Sequence, residues 1–117
     1  MATILVIDDQ EPIRGLLRRA LEEANYEVLE ASNGRLGLEL YRERLAELVI
    51  TDIFMPEMNG LELAAAIRER FSSIKVVIMS GELAAEIARR SADDFIGKPF
   101  SAANLLKVVE RVLVPLD

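Results

Sequence analysis

Thr3-Ile4-Leu5-Val6-Ile7-Asp8-Asp9-Gln10-Glu11-Pro12 passes from a strand to the start of a helix. The stretch Thr3–Ile7 is continuous and rich in β-branched side chains, the pattern of a strand buried on both faces. The carboxylates and early proline that follow mark a helix start. Ile13, Leu16, Leu17, Ala20, Leu21 and Ala24 then recur at helical spacing and predict one apolar stripe, closed by Asn25.

The same strand-then-helix unit repeats in kind along the chain, without repeating in sequence. Glu27–Ala31 reads as a weaker strand, and Ser32-Asn33-Gly34 opens a helix reaching about residue 45. Residues 48–51 are a third buried strand, 52–59 a loop, and 60 to about 71 a helix with Leu63, Ile67 and Phe71 on one face. Residues 75–79 are the fourth strand, with Ser80-Gly81 as the turn after it. A short helix is expected over 83–90, a fifth strand over 93–97, and a last helix from Ser101, bracketed by Pro99 and Pro115. Five strands each followed by a helix require crossover connections. The expected fold is therefore α/β: a single doubly wound domain over residues 1–117, its parallel sheet covered by helices on both faces.

The 117 residues are 51% hydrophobic and 29% charged, enough apolar side chain for a core within one soluble domain. No apolar run approaches bilayer-spanning length and the first residues carry no signal-peptide pattern, so a cytoplasmic protein without membrane contact is expected. Lys and Arg total 14 against 20 Asp and Glu, a net charge of -6, which opposes direct nucleic-acid binding. There is no Cys and no His. Thiolate chemistry, disulfides and the commonest general base are thereby excluded, and carboxylates, hydroxyls and lysines remain. Such donors favour a hard cation such as Mg²⁺.

In doubly wound sheets, ligands bind beyond the carboxyl ends of the strands. That rule selects Asp8 and Asp9 after the first strand, Asp52 after the third, Ser80 after the fourth and Lys98 after the fifth. Taken singly, each has a plain reading: Asp8 and Asp9 as helix caps, Asp52 and Ser80 as turn residues, Lys98-Pro99 as an extended step. Together they form a set. Neighbouring carboxylates repel unless a cation sits among them, and a carboxylate beside Mg²⁺ and a lysine can attack phosphorus.

At this point the chain resembles the receiver domain of two-component response regulators. The resemblance runs from Ile4-Leu5-Val6-Ile7-Asp8-Asp9 through Leu48-Val49-Ile50-Thr51-Asp52-Ile53-Phe54-Met55-Pro56-Glu57-Met58-Asn59-Gly60 to Phe95-Ile96-Gly97-Lys98-Pro99-Phe100. It implies a flavodoxin-like (βα)5 fold with strand order 2-1-3-4-5. It implies that Asp52 is the phosphoacceptor for a phosphohistidine on a sensor histidine kinase or histidine phosphotransfer protein. Asp8, Asp9, Asp52 and the backbone carbonyl of Phe54 would hold Mg²⁺, Lys98 would contact the phosphoryl group, and a cis peptide would join Lys98 to Pro99. Ser80 and Phe95 would be the switch pair that passes a shape change to a protein target. Phe54 and Glu82 stand where the family tunes the lifetime of the phosphoaspartate. Between Ser80 and Lys98 the chain is about one helical turn (~3.6 residues) shorter than in that family. Ser91 stands where the family commonly has the glycine that ends the short helix.

Other features carry paired readings. Arg14, Arg18 and Arg19 line one side of the first helix. The resemblance makes that side the kinase-docking face, and the alternative is a solvated face stapled by Arg18–Glu22 and Arg19–Glu23 pairs. Gly15 within that helix suggests only close packing. The last helix carries Leu105, Leu106, Val108, Val109, Val112, Leu113 and Val114, read either as a broad core face or as partly a surface for a second copy; a monomer or weak homodimer is expected. Met55, Met58 and Met79 read as core or loop filling. A stand-alone single-domain regulator is favoured over a receiver belonging to a longer protein. Two other functions compete: a Mg²⁺-dependent aspartyl-nucleophile phosphatase or phosphotransferase, and a degenerate receiver acting as a constitutive interaction module. The first would place its nucleophile after strand one with a second Asp two residues on, whereas Asp8 and Asp9 are adjacent. The second is opposed by the intact set of Asp8, Asp9, Asp52, Ser80 and Lys98.

Overall fold

The computed structural model describes residues 2–55, 57–81 and 92–113. The elements are β1 (Thr3–Ile7), α1 (Glu11–Glu23), β2 (Glu27–Ala31), α2 (Gly34–Glu43), β3 (Leu48–Asp52), α3 (Gly60–Arg70), β4 (Lys75–Ser80), β5 (Asp94–Gly97) and α4 (Ala102–Leu113). The helix expected over 83–90, together with Glu82, Ser91, Val114 and Pro115, lies outside the described residues.

All four strand pairings are parallel, and the order is β2-β1-β3-β4-β5, the expected flavodoxin-like arrangement. Strand alternation builds two cores. On one face Leu5, Ile7, Val49, Val76 and Ile78 pack with Leu63 and Ile67 of α3 and Tyr41 of α2. On the other, Ile4, Val6, Leu48, Ile50, Val77 and Met79 pack with Leu17 and Leu21 of α1 and Leu105, Val108 and Val109 of α4. Continuous apolar strands were the right reading because each strand feeds both cores.

Helix starts are fixed locally. Asn33 Oδ1 accepts from Leu36 N and caps α2, while Asn59 and Glu62 form a reciprocal capping box on α3. Ser101 Oγ accepts from Asn104 N ahead of α4. The N-cap of α1 is Gln10, in extended conformation, so neither Asp8 nor Asp9 caps that helix.

Two expectations for α1 are corrected, and the readings of α4 and of the methionines stand. Leu16 is half-exposed and lies off the α1 stripe. Gly15 faces open space, with nothing within 4 Å of a Cβ there, so close packing is not its reason. On α4, Leu106, Val112 and Leu113 pack against the core beside the buried Leu105, Val108 and Val109, which makes the broad core face the correct reading. Met79 is buried, and Met55 and Met58 pack partly against the core. Among the described residues, no helix is long and apolar enough to cross a membrane.

Candidate functional site

Register brings the selected residues into one row. Ile7 pairs with Thr51, Asp52 with Met79, and Ser80 with Gly97. The residues just past these pairs, Asp8, Ser80 and Lys98, therefore meet Asp52 at the carboxyl edge of the sheet. Lys98 N–H donates to Ser80 O at 3.0 Å, extending the β4–β5 ladder to the site. The Lys98–Pro99 peptide is cis, as expected.

Asp8 is fully buried, Asp52 is 9% exposed and Ser80 4%, while Asp9 is open to solvent. Lys98 Nζ donates to Asp8 Oδ2 and to Asp52 Oδ2, both at 2.9 Å. Asp52 Oδ1 accepts from Ile53 N at 2.7 Å, and Asp8 Oδ1 from Gln10 N at 2.8 Å. Each buried carboxylate oxygen thus has one donor, as burial of a charge demands.

Burial by itself would lower the pKa of the Lys98 ammonium. Hydrogen bonds and charge from Asp52 and Asp8 outweigh that effect and raise it above its ordinary value of 10.5, so Lys98 stays charged at neutral pH. One carboxylate oxygen from each of Asp8, Asp9 and Asp52 lies within 4.8 Å of the others. Three carboxylates against one ammonium leave two negative charges, the amount one divalent cation neutralises. The donors are all oxygen and one side of the cluster is open to water, so the set fits Mg²⁺.

Phe54 follows in the β3–α3 loop with 70% of its surface exposed. Phe95 of β5 pairs with Ile78 of β4 and is half-buried, packed against the Leu5 and Ile7 core. Sequence reasoning missed Glu30. Arg14 and Arg18 of α1 both pair with it, and Arg14 also reaches the Asp8 carbonyl. Of the expected α1 staples, Arg18–Glu22 forms at 3.8 Å, and Arg19–Glu23 is not among the ion pairs of the described residues.

Known proteins share this fold. The family model of the response regulator receiver domain matches residues 4–110. The chain is 35% identical to the DNA-binding transcriptional regulator NtrC of Azospirillum brasilense, over 96% of this chain and 24% of that protein. The chemotaxis protein CheY4 of Vibrio cholerae superposes with a TM-score of 0.90 at 31% identity, covering 97% of this chain and 99% of that one. The receiver domain of NtrX from Brucella abortus gives 0.88 at 36% identity, covering 94% and 97%. The chain spans less than half the length of the first curated relatives it matches. A family match across nearly the whole sequence, on a fold whose strand order puts the three carboxylates at one edge, leaves a single conclusion: the chain belongs to the response regulator receiver domain family.

Proposed function

We propose that this chain is the phosphoacceptor of a two-component system or phosphorelay. Asp52 takes a phosphoryl group from a phosphohistidine on a sensor histidine kinase or histidine phosphotransfer protein. One observation carries the reading: a single ammonium, Lys98 Nζ, is shared at 2.9 Å by Asp8 and Asp52 within a three-carboxylate cluster. Membership of the receiver family supports the class of donor.

A carboxylate oxygen of Asp52 attacks phosphorus. The P–N bond to the donor imidazole breaks, its electron pair stays on that nitrogen, and the P–O bond of an acyl phosphate forms. Asp8, Asp9, Asp52 and the Phe54 carbonyl are the residues that would hold Mg²⁺, which when bound offsets the charge of the phosphoryl oxygens. Lys98 turns from its carboxylate partners toward the incoming phosphoryl group, and the Ser80 hydroxyl donates to one of its oxygens. Phe95 responds to Ser80, and the altered β4–β5 edge is read by a protein target. In this reading the chain is a signalling module that promotes its own Mg²⁺-dependent phosphorylation and dephosphorylation, not an enzyme acting on a separate substrate.

The test is the intact mass of the wild type and Asp52→Asn after incubation with Mg²⁺ and acetyl phosphate. The wild type should gain one phosphoryl group and Asp52→Asn none, with both folded. Equal gain by Asp52→Asn would overturn the assignment.

A further inference from the structure

Arg14 reaches from the first turn of α1 back across the loop that carries the acidic pair. Its Nη1 donates to the backbone carbonyl of Asp8 at 2.8 Å, and its Nε donates to Glu30 Oε1 at 3.2 Å. Arg18 Nη1 holds the other Glu30 oxygen at 2.8 Å. Glu30 stands on β2 opposite Val6, so the guanidinium is anchored to a strand and not to the loop it grips. A planar fork serves both acceptors in fixed directions, which an ammonium does not.

The consequence falls on Asp9. Asp8 is already held through its amide, which donates to Ala31 O at 3.2 Å, and through both carboxylate oxygens. Its carbonyl belongs to the planar peptide that leads into Asp9. Fixing that carbonyl fixes the plane, and with it the direction in which the exposed Asp9 leaves the buried row.

We infer that Arg14 is a positioning residue for the acidic site, setting the Asp8–Asp9 peptide and so the approach of the Asp9 carboxylate to those of Asp8 and Asp52; this rests on the Mg²⁺-dependent phosphoacceptor reading. Two effects of Arg14 oppose each other. As a cation beside the cluster it repels Mg²⁺, so its removal would tighten binding. As a clamp it preorganises the donors, so its removal weakens binding. Glu30 is shared by Arg14 and Arg18, and Glu22 lies beside Arg18, so two carboxylates balance the two guanidiniums and the clamp prevails. Partners that orient metal ligands from outside typically change metal affinity by about 10- to 100-fold.

The experiment is a MgCl₂ titration at constant ionic strength, followed by two-dimensional amide NMR of the wild type, Arg14→Ala and Arg14→Lys. Arg14→Ala should bind Mg²⁺ about tenfold more weakly. Arg14→Lys keeps the charge without the fork and should recover only part of that loss. In metal-free spectra of both variants the Asp9 amide should be displaced, while resonances of the strands remain in place and report an intact fold. Equal or tighter binding by Arg14→Ala, or full recovery by Arg14→Lys, overturns the inference while wild-type binding leaves the site reading standing. Absence of saturable Mg²⁺ shifts in the wild type overturns both.

Discussion

Gly60 packs its bare Cα against the carbonyl of Asp52: a Cβ at residue 60 would overlap that oxygen and stand 3.0 Å from the carbonyl carbon. The Gly60 N–H also donates to Ile53 O at 2.9 Å, so the first residue of α3 folds back onto the end of β3. Closure of the β3–α3 loop and the placement of Asp52 are thus one feature. Gly60→Ala must displace backbone, which yields less readily than a side chain. It should cost about 1–3 kcal/mol, seen as a lower urea midpoint at unchanged m. Phosphoryl gain from acetyl phosphate should slow in parallel. A wild-type midpoint would show that α3 can retreat freely from Asp52.

How far the sequence speaks depends on whether an interaction is local. The five strands and the row of Asp8, Asp52, Ser80 and Lys98 were legible because apolar runs ending in polar residues mark the carboxyl edge of a parallel sheet without knowledge of any contact. The course of the α1 stripe was not. Leu17 and Leu21 are fully buried and set the centre of its inner face, and at 3.6 residues per turn Leu16 lies about 120° away from that centre. The helical period alone allowed both placements, and only the sheet beneath chooses. Glu30 was illegible for a related reason: its partners Arg14 and Arg18 lie on another element, brought near by the β1–β2 register. The α1 side chosen as a docking face is therefore partly an intramolecular brace for the acidic loop.

Gly15 supplies a test of the opposite sign from Gly60. It lies inside α1, and no atom stands within 4 Å of the position its Cβ would take. Glycine in a helix interior costs about 1 kcal/mol relative to alanine through backbone entropy. Gly15→Ala should raise the unfolding free energy by about that amount, read from the urea midpoint. A drop would contradict the open space around residue 15.

Removing Lys98 should make stability depend on Mg²⁺. Lys98→Met leaves the largely buried Asp8 Oδ2 and Asp52 Oδ2 without their shared donor. Breaking a fully buried pair costs roughly 3–5 kcal/mol, and the partial exposure of Lys98 reduces this to about 2 kcal/mol. A divalent cation bound among the same carboxylates would offset the loss by linkage. Saturating MgCl₂ should therefore raise the Tm of Lys98→Met by more than it raises that of the wild type. Equal increments would show that the two cations do not answer to the same charge.

The pH dependence of that difference has a definite sign. The hydrogen bonds and charge of Asp52 and Asp8 overcome the opposing effect of burial and raise the Lys98 pKa above its ordinary 10.5. A group whose pKa is raised on folding contributes stability that is complete below its unfolded pKa and is lost as pH climbs through the folded value. The gap in unfolding free energy between wild type and Lys98→Met should therefore stay level from about pH 7 to about pH 10 and shrink only above that. Taking the difference removes the contribution common to both proteins, including that of Tyr41, whose pKa burial raises. A gap already closing between about pH 7 and pH 9 would mean that burial outweighs the two carboxylates. Lys98 would then lose its charge near neutral pH, and its role as the ammonium that meets a phosphoryl group would fall with it.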